Sequence, residues 1–289
     1  MEDASWVNVD SAIKAWANRG NEHADNLMLF YFCGHGISAG TDTALLLSDY
    51  GAPDVNVLRG AIDFRSLRLG MRCYRATEQC FFVDACRAST DTVVRAESAG
   101  QVVLLPGLRD PDWPRLRAPV FYSSLKGDKA YARPNEPSVF TEALLASLEH
   151  FGGDNEEDED DWRINTVRVY EAVEHLVARR MREFQKVQIP TADDISKVYL
   201  HYLSAPPEAL VYVRSNLSEA LQGATLAYRI AGGEPVVLLN EGGNAAEWEA
   251  HVPSGFWNFT LCLPSGQSLD LNNRDIRPVY RSLNFRAAQ

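Results

Sequence analysis

Long hydrophobic runs are missing from this chain. Its longest uninterrupted apolar stretch, Leu27 to Cys33, falls far short of the ~20 residues that a membrane-spanning helix needs. Met1-Glu2-Asp3 is acidic, where a secretory leader would be basic and then apolar. Positive charge is scarce as well. Lys and Arg total 28 against 39 Asp and Glu, a net charge of −11, and an acidic surface of that kind repels the phosphate backbone of nucleic acid. The five cysteines are odd in number, scattered and never arranged as CxxC. Reduced thiols in a cytoplasmic protein are therefore expected, with no disulfide framework and no zinc-type spacing. No repeat of solenoid length is present. What remains is 289 residues, 46% hydrophobic and 23% charged, enough for one large or two ordinary domains with a real apolar core.

Two halves follow different periods. Up to about Ser204, apolar runs alternate with helical patterns, which predicts βα units and a mainly parallel sheet flanked by helices, an α/β fold. Asp10 or Ser11 is placed to cap a helix through Asn18, and Asp63 to cap one over 64–71. The run Leu27 to Cys33 reads as a strand covered on both faces, as do Cys80-Phe81-Phe82-Val83-Asp84 and Pro119-Val120-Phe121-Tyr122-Ser123. Helical spacing covers 139–150 and 166–186, the second with Val169, Val173, Leu176, Val177 and Met181 on one stripe. Residues 88–117, rich in Ser, Thr, Gly, Pro and Arg, read as a long mobile connection. Beyond Pro206-Pro207 a period of two takes over. Trp257, Phe259, Leu261 and Leu263 share a face, and so do Leu226, Tyr228 and Ile230, with Gly-rich turns between. The expected division is residues 1–205, then a small all-β sandwich over 206–289 whose aromatics, Trp248, Phe256, Trp257 and Phe259, fill its core.

Two apolar strands end in reactive side chains. One runs into Cys33-Gly34-His35-Gly36 and the other into Asp84-Ala85-Cys86-Arg87. In a parallel sheet both endings lie at the carboxyl edge, where open α/β sheets build their ligand crevices. There a thiol and an imidazole become a nucleophile and its acid–base partner. The flanking glycines leave main chain accessible, so the amides of Gly36 and Cys86 are candidates to hold an oxyanion. Taken alone, Cys86 reads as a small buried hydrophobe; the pairing of strand ends is what makes it a candidate nucleophile.

The spacing adds to this. Cys86 follows His35 by 51 residues, and caspases place their histidine ~50 residues before the cysteine. Phe32-Cys33-Gly34-His35-Gly36 with Val83-Asp84-Ala85-Cys86-Arg87 resembles the catalytic pair of the caspase-like cysteine proteases, the group of caspases and metacaspases. The segment Phe121-Tyr122-Ser123-Ser124-Leu125-Lys126-Gly127-Asp128-Lys129-Ala130-Tyr131, then Val139-Phe140-Thr141-Glu142-Ala143-Leu144-Leu145, resembles the family's strand and helix after the activation loop. Val187-Gln188-Ile189-Pro190 resembles the segment that closes its domain. The resemblance covers about residues 9–200 and lies closer to the metacaspase and bacterial branch.

It implies Cys86 as nucleophile, His35 as acid–base, Gly36 with Cys86 as oxyanion hole, and Asp84, Cys33 and Ser123 in the substrate pocket, without a metal. Metacaspases carry an acidic residue at the Asp84 position and cleave after Arg or Lys; the bland alternative pairs Asp84 with Arg87 or gives it a turn to cap. Cys33 reads as a pocket wall, with metal ligation beside His35 as its alternative. The implied partners are protein substrates with basic P1 residues and an activating protease or regulator, with neither nucleic acid nor membrane. Arg95, Arg109, Arg115 and Arg117 lie where relatives carry a linker that is cut on activation. Two departures stand out. The family's opening strand and helix, which supply a second acidic pocket residue, have no counterpart before residue 10. Arg87-Ala88-Ser89 matches neither the caspase nor the metacaspase pattern after the nucleophile.

No cofactor is expected. The acidic run over 154–161 reads as a solvated loop, with calcium as its functional alternative because hard cations take clustered carboxylates. Arg179-Arg180-Met181-Arg182 reads as an exposed helix face. Two other functions compete with the endopeptidase: a catalytically silent regulatory module, and a cysteine hydrolase or transferase of small molecules.

Overall fold

The computed structural model describes residues 3–39, 42–51, 58–87, 100–105, 115–155, 161–216, 221–241 and 247–286. In chain order its first elements are α1 (Trp6–Arg19), β1 (Leu27–Ala39), β2 (Asp42–Leu46), β3 (Ala61–Asp63), α2 (Phe64–Met71), β4 (Glu78–Ala85), β5 (Val120–Tyr122) and α3 (Val139–Ala146). A π-turn (Ser147–Phe151), β6 (Gly153–Asp154), β7 (Arg163–Asn165), α4 (Thr166–Glu183), β8 (Thr191–Asp193) and β9 (Tyr199–Tyr202) follow. The remainder is strand: β10 (Glu208–Ser215), β11 (Thr225–Arg229), β12 (Val236–Leu239), β13 (Trp248–Pro253), β14 (Gly255–Cys262), β15 (Ser268–Ile276) and β16 (Tyr280–Phe285). The chain divides into two units, Met1–Leu144 with Val173–Val198, and Leu145–Ala172 with Tyr199–Gln289. Among the described residues no helix is long and apolar enough to cross a membrane.

The first unit is α/β. Its six-stranded sheet runs β3-β2-β1-β4-β5-β8, with β1, β4 and β5 parallel at the centre and β2, β3 and β8 antiparallel outside them. β4 is apolar and aromatic from Cys80 to Val83 and buried on both faces, the burial that parallel strands require. Under one face Phe30, Phe64 and Phe81 meet with ring centroids 5.9–6.0 Å apart, packed with Ile13, Leu67 and Met71 from the helices. α2 starts where its capping signal lies: the Asp63 carboxylate accepts the Ser66 N–H at 3.0 Å.

Three local expectations change. β1 is fully covered on one face and only partly on the other. Met28 is buried, whereas Leu29 and Tyr31 are 50% and 49% exposed; α3 meets that face at the Tyr31 hydroxyl. α1 begins at Trp6, ahead of Asp10, because its cap is not local: both Asp49 carboxylate oxygens lie 3.1 Å from the Trp6 N–H, while Ser5 makes no side-chain cap. The helix predicted over 139–150 stops at Ala146 and continues as the π-turn. Most of 88–117 lies outside the described residues.

The second unit holds a β-sandwich. Sheets β13-β10-β16 and β12-β11-β14-β15 enclose a shared core in which Val211, Val252 and Leu283 of the first meet Leu226, Phe259 and Leu261 of the second. A separate sheet, β6-β7-β9, completes the unit. Phe256 is 57% exposed and not core, since it alternates with the inward Trp257. Ile230, beyond the end of β11, is likewise exposed.

Candidate functional site

Register places the two strand endings side by side. Cys33 of β1 pairs with Asp84 of β4, and Gly34 with Ala85, so His35 and Cys86 are the next residues on neighbouring parallel strands, which lie ~4.8 Å apart. At His35, β1 leaves β4 and pairs with β2 instead, starting at Leu46. The strand end is therefore also where the sheet changes partner, and His35 is exposed there. Gly36 is tightly constrained: a Cβ at that position would stand 2.6 Å from the Cys86 carbonyl oxygen and 2.9 Å from the Ala85 Cβ. Only glycine fits without moving main chain.

Main chain and one buried hydroxyl hold the Cys86 segment. The Ser123 hydroxyl accepts the Ala85 N–H at 3.1 Å and lies 3.2 Å from the Ala85 carbonyl. Ser123 is fully buried, and with these bonds it supports the end of β4. Beyond it, the Arg87 N–H donates to Asp128 O at 3.0 Å and the Gly127 N–H to Arg87 O at 2.9 Å. The Ala130 N–H points at the Cys86 sulfur, 3.4 Å away, with the Ala130 carbonyl 3.9 Å from the same atom. Gln188, buried, ties this loop down by accepting the Tyr131 N–H at 2.9 Å and donating to Ser123 O at 2.8 Å.

Asp84 and Arg87 do not pair. The Arg87 guanidinium lies over the Tyr122 ring, 4.0 Å from its centroid, with Nη1 3.5 Å from Ser124 O and 3.4 Å from Thr191 Oγ1. Asp84, only 3% exposed, is surrounded by small donors instead. Its Oδ2 accepts from the Ser138 hydroxyl, from Thr141 Oγ1 at 2.6 Å and from the Cys33 thiol at 3.8 Å. Thr141 Oγ1 is in turn 2.7 Å from the Tyr31 hydroxyl, and the Thr141 N–H donates to Ser138 Oγ at 3.0 Å, capping α3. Among the described residues Oδ1 has no partner and Asp84 makes no ion pair. Burying a carboxylate this deeply is costly until a cation completes it.

The thiols differ in environment. Burial pushes Cys80 up to about 12, which makes it inert. Cys33 is also raised, first by burial and then by Asp84 beside it; it is a protonated donor at neutral pH. Among the described residues no three His, Cys, Asp or Glu side chains converge as a metal site. Most of the acidic run lies outside the described residues; at its flanks Asp154 accepts from Asn165 at 3.0 Å and Asp161 from Arg163. In the arginine cluster, Arg180 pairs with Glu183 at 2.9 Å while Met181 is core. Sequence reasoning missed Tyr31, Ser138, Thr141 and Ala130. Only Ser138 carried a local signal, a cap preceding an apolar helix.

Residues 1–197 match the peptidase C14 family, described as the caspase domain. The chain belongs to that family. The caspase domain thus takes in β1 to β5, α3 and β8, with both strand endings inside it. An uncharacterized protein of Sinorhizobium fredii is 26% identical over 217 residues, 72% of this chain and 60% of its own length. A protein of a Desulfuromonadales bacterium, described as a probable protease, is 27% identical over 188 residues, 62% of this chain and 22% of its own length. The chain therefore spans less than two thirds of either relative. A Geobacter sulfurreducens protein of known crystal structure aligns over 66% of this chain at 13% identity with a TM-score of 0.38, too low to bear on the fold. The family is one of cysteine peptidases, and its members act on proteins.

Proposed function

We propose that this caspase domain is a cysteine endopeptidase cleaving after Arg or Lys, with Cys86 as nucleophile and His35 as acid–base. The observation that carries the specificity is Asp84: a buried carboxylate beside the strand ends, with three donors on one oxygen and none on the other. A P1 ammonium or guanidinium supplies the missing cation. The Cys86 thiol gives its proton to His35 as the sulfur attacks the scissile carbonyl carbon, and the carbonyl π electrons move to oxygen, where the main-chain amides of Gly36 and Cys86 receive the charge. Collapse expels the amine, which takes its proton from His35, and leaves a thioester. Water, deprotonated by His35, attacks the thioester and releases the acid and the Cys86 thiol.

Latency belongs to the same proposal. The Ala130 main chain on the Cys86 sulfur favours a resting form in which the loop must yield before substrate enters. Cleavage within 88–118, at Arg95, Arg109, Arg115 or Arg117, is the proposed trigger.

The test is a fluorogenic peptide with Arg at P1, assayed alongside a gel of the purified chain. Parent protein is expected to cleave the peptide and to release fragments, whereas Cys86→Ala gives neither and stays a single full-length band. Equal turnover by Cys86→Ala ends the peptidase reading; equal fragmentation of the two proteins ends self-processing.

A further inference from the structure

We infer that Thr141 and Tyr31 are positioning residues of the specificity site, a relay that locks the Asp84 carboxylate so that Oδ1 faces the substrate cation. The inference rests on the basic-P1 reading above and assigns residues that neither the strand-end motifs nor the family match single out.

Hydrogen bookkeeping fixes the direction of the relay. A carboxylate only accepts, so the single proton of the Thr141 hydroxyl goes to Asp84 Oδ2, 2.6 Å away. That leaves Thr141 Oγ1 as the acceptor for the Tyr31 phenol at 2.7 Å. Burial pushes Tyr31 up to about 12, which keeps the phenol a donor throughout the working range. Ser138 is committed in the same way: its oxygen accepts the Thr141 N–H at 3.0 Å, and its proton goes to Asp84 Oδ2. Oδ2 thus takes donors from β1 and from the first turn of α3, two elements joined far apart in the chain.

The geometry has a chemical consequence. Rotating the Asp84 carboxyl by half a turn would present Oδ1 to these donors and Oδ2 to the ligand, with no net change. Tilting it out of plane would break two strong bonds at once. The plane of the carboxylate is what the relay holds. A substrate cation arriving at Oδ1 meets an acceptor already aimed, so the ordering cost is met before binding. Tyr31, half-exposed, is the relay's outermost member.

The experiment measures steady-state kinetics of the full-length chain on two fluorogenic peptides that differ only at P1, Arg against its neutral isostere citrulline. Thr141→Val is expected to raise KM for the Arg peptide by about tenfold and change kcat by less than about twofold, with KM for the citrulline peptide unmoved. Thr141→Ser, which keeps the hydroxyl, is expected to restore KM to within about twofold, and Tyr31→Phe to raise it about threefold. An unchanged KM in Thr141→Val, an equal loss on both peptides, or no rescue by Thr141→Ser overturns the relay. If Thr141→Val does not fold, Tyr31→Phe carries the test and an unchanged KM overturns it. Asp84→Asn separates the two levels. Loss of Arg preference there, together with a normal Thr141→Val, rejects the relay alone; retention of that preference rejects the basic-P1 reading and the relay with it.

Discussion

Gly36 shows how little freedom one residue has where two strand endings meet. The atom that its missing Cβ would strike is a main-chain carbonyl, Cys86 O at 2.6 Å, and not the end of a flexible side chain. Gly36→Ala must therefore push the Cys86 segment away from β1. A displacement of about 1 Å at a nucleophile costs on the order of 10²-fold in rate, so kcat/KM on the Arg peptide is expected to fall by at least that much while the folded CD spectrum persists. Full activity in Gly36→Ala would show that the strand end tolerates movement. Arg87 is the complementary case. Its buried cation is carried by the Tyr122 ring face and two oxygen acceptors and makes no pair with Asp84.

At the scale of elements, α1 and α2 are capped by different logic. α2 takes its cap from the adjacent Asp63, whereas α1 takes its cap from Asp49, 43 residues away, next to the end of β2. Asp49→Ala is expected to cost about 1 kcal/mol, as a lost helix cap does, and Ser5→Ala almost nothing because Ser5 makes no side-chain cap. Urea denaturation of both variants checks the contrast; equal losses would return the capping role to Ser5. β1 likewise divides its work, pairing with β4 up to Gly34 and with β2 from His35 onward. That change of partner opens the sheet edge at which the imidazole stands.

For the molecule as a whole, stability is expected to depend on pH in part through His175 in α4. Burial, reinforced by Arg179 and Arg182, pushes this imidazole down to about 4 from 6.5. Its folded form disfavours the proton that the unfolded chain accepts. Stability is therefore complete above about pH 6.5 and drains as pH falls towards 4. Between pH 7 and pH 5 the loss from this one group is about 1–2 kcal/mol. Thermal unfolding of parent protein and His175→Gln at both pH values reads the difference directly. The parent should lose more stability on acidification than the variant, and parallel losses would remove His175 as the cause.

Sequence alone determined the strand endings that carry His35 and Cys86, the Asp63 cap and the change from helical to two-residue period after Pro206-Pro207. Each of these is written in neighbouring residues: apolar periodicity, capping side chains and turn formers act over a few positions. Tertiary structure decided where α1 starts, which face of β1 stays only partly covered, that Ser123 is buried, and that Arg87 takes an aromatic face in place of Asp84. It also assembled Tyr31, Cys33, Asp84, Ser138 and Thr141 around one carboxylate, although Tyr31 and Thr141 stand 110 positions apart. Such contacts depend on strand register and on where a helix comes to rest, and a hydroxyl has no period by which to announce its distant partner.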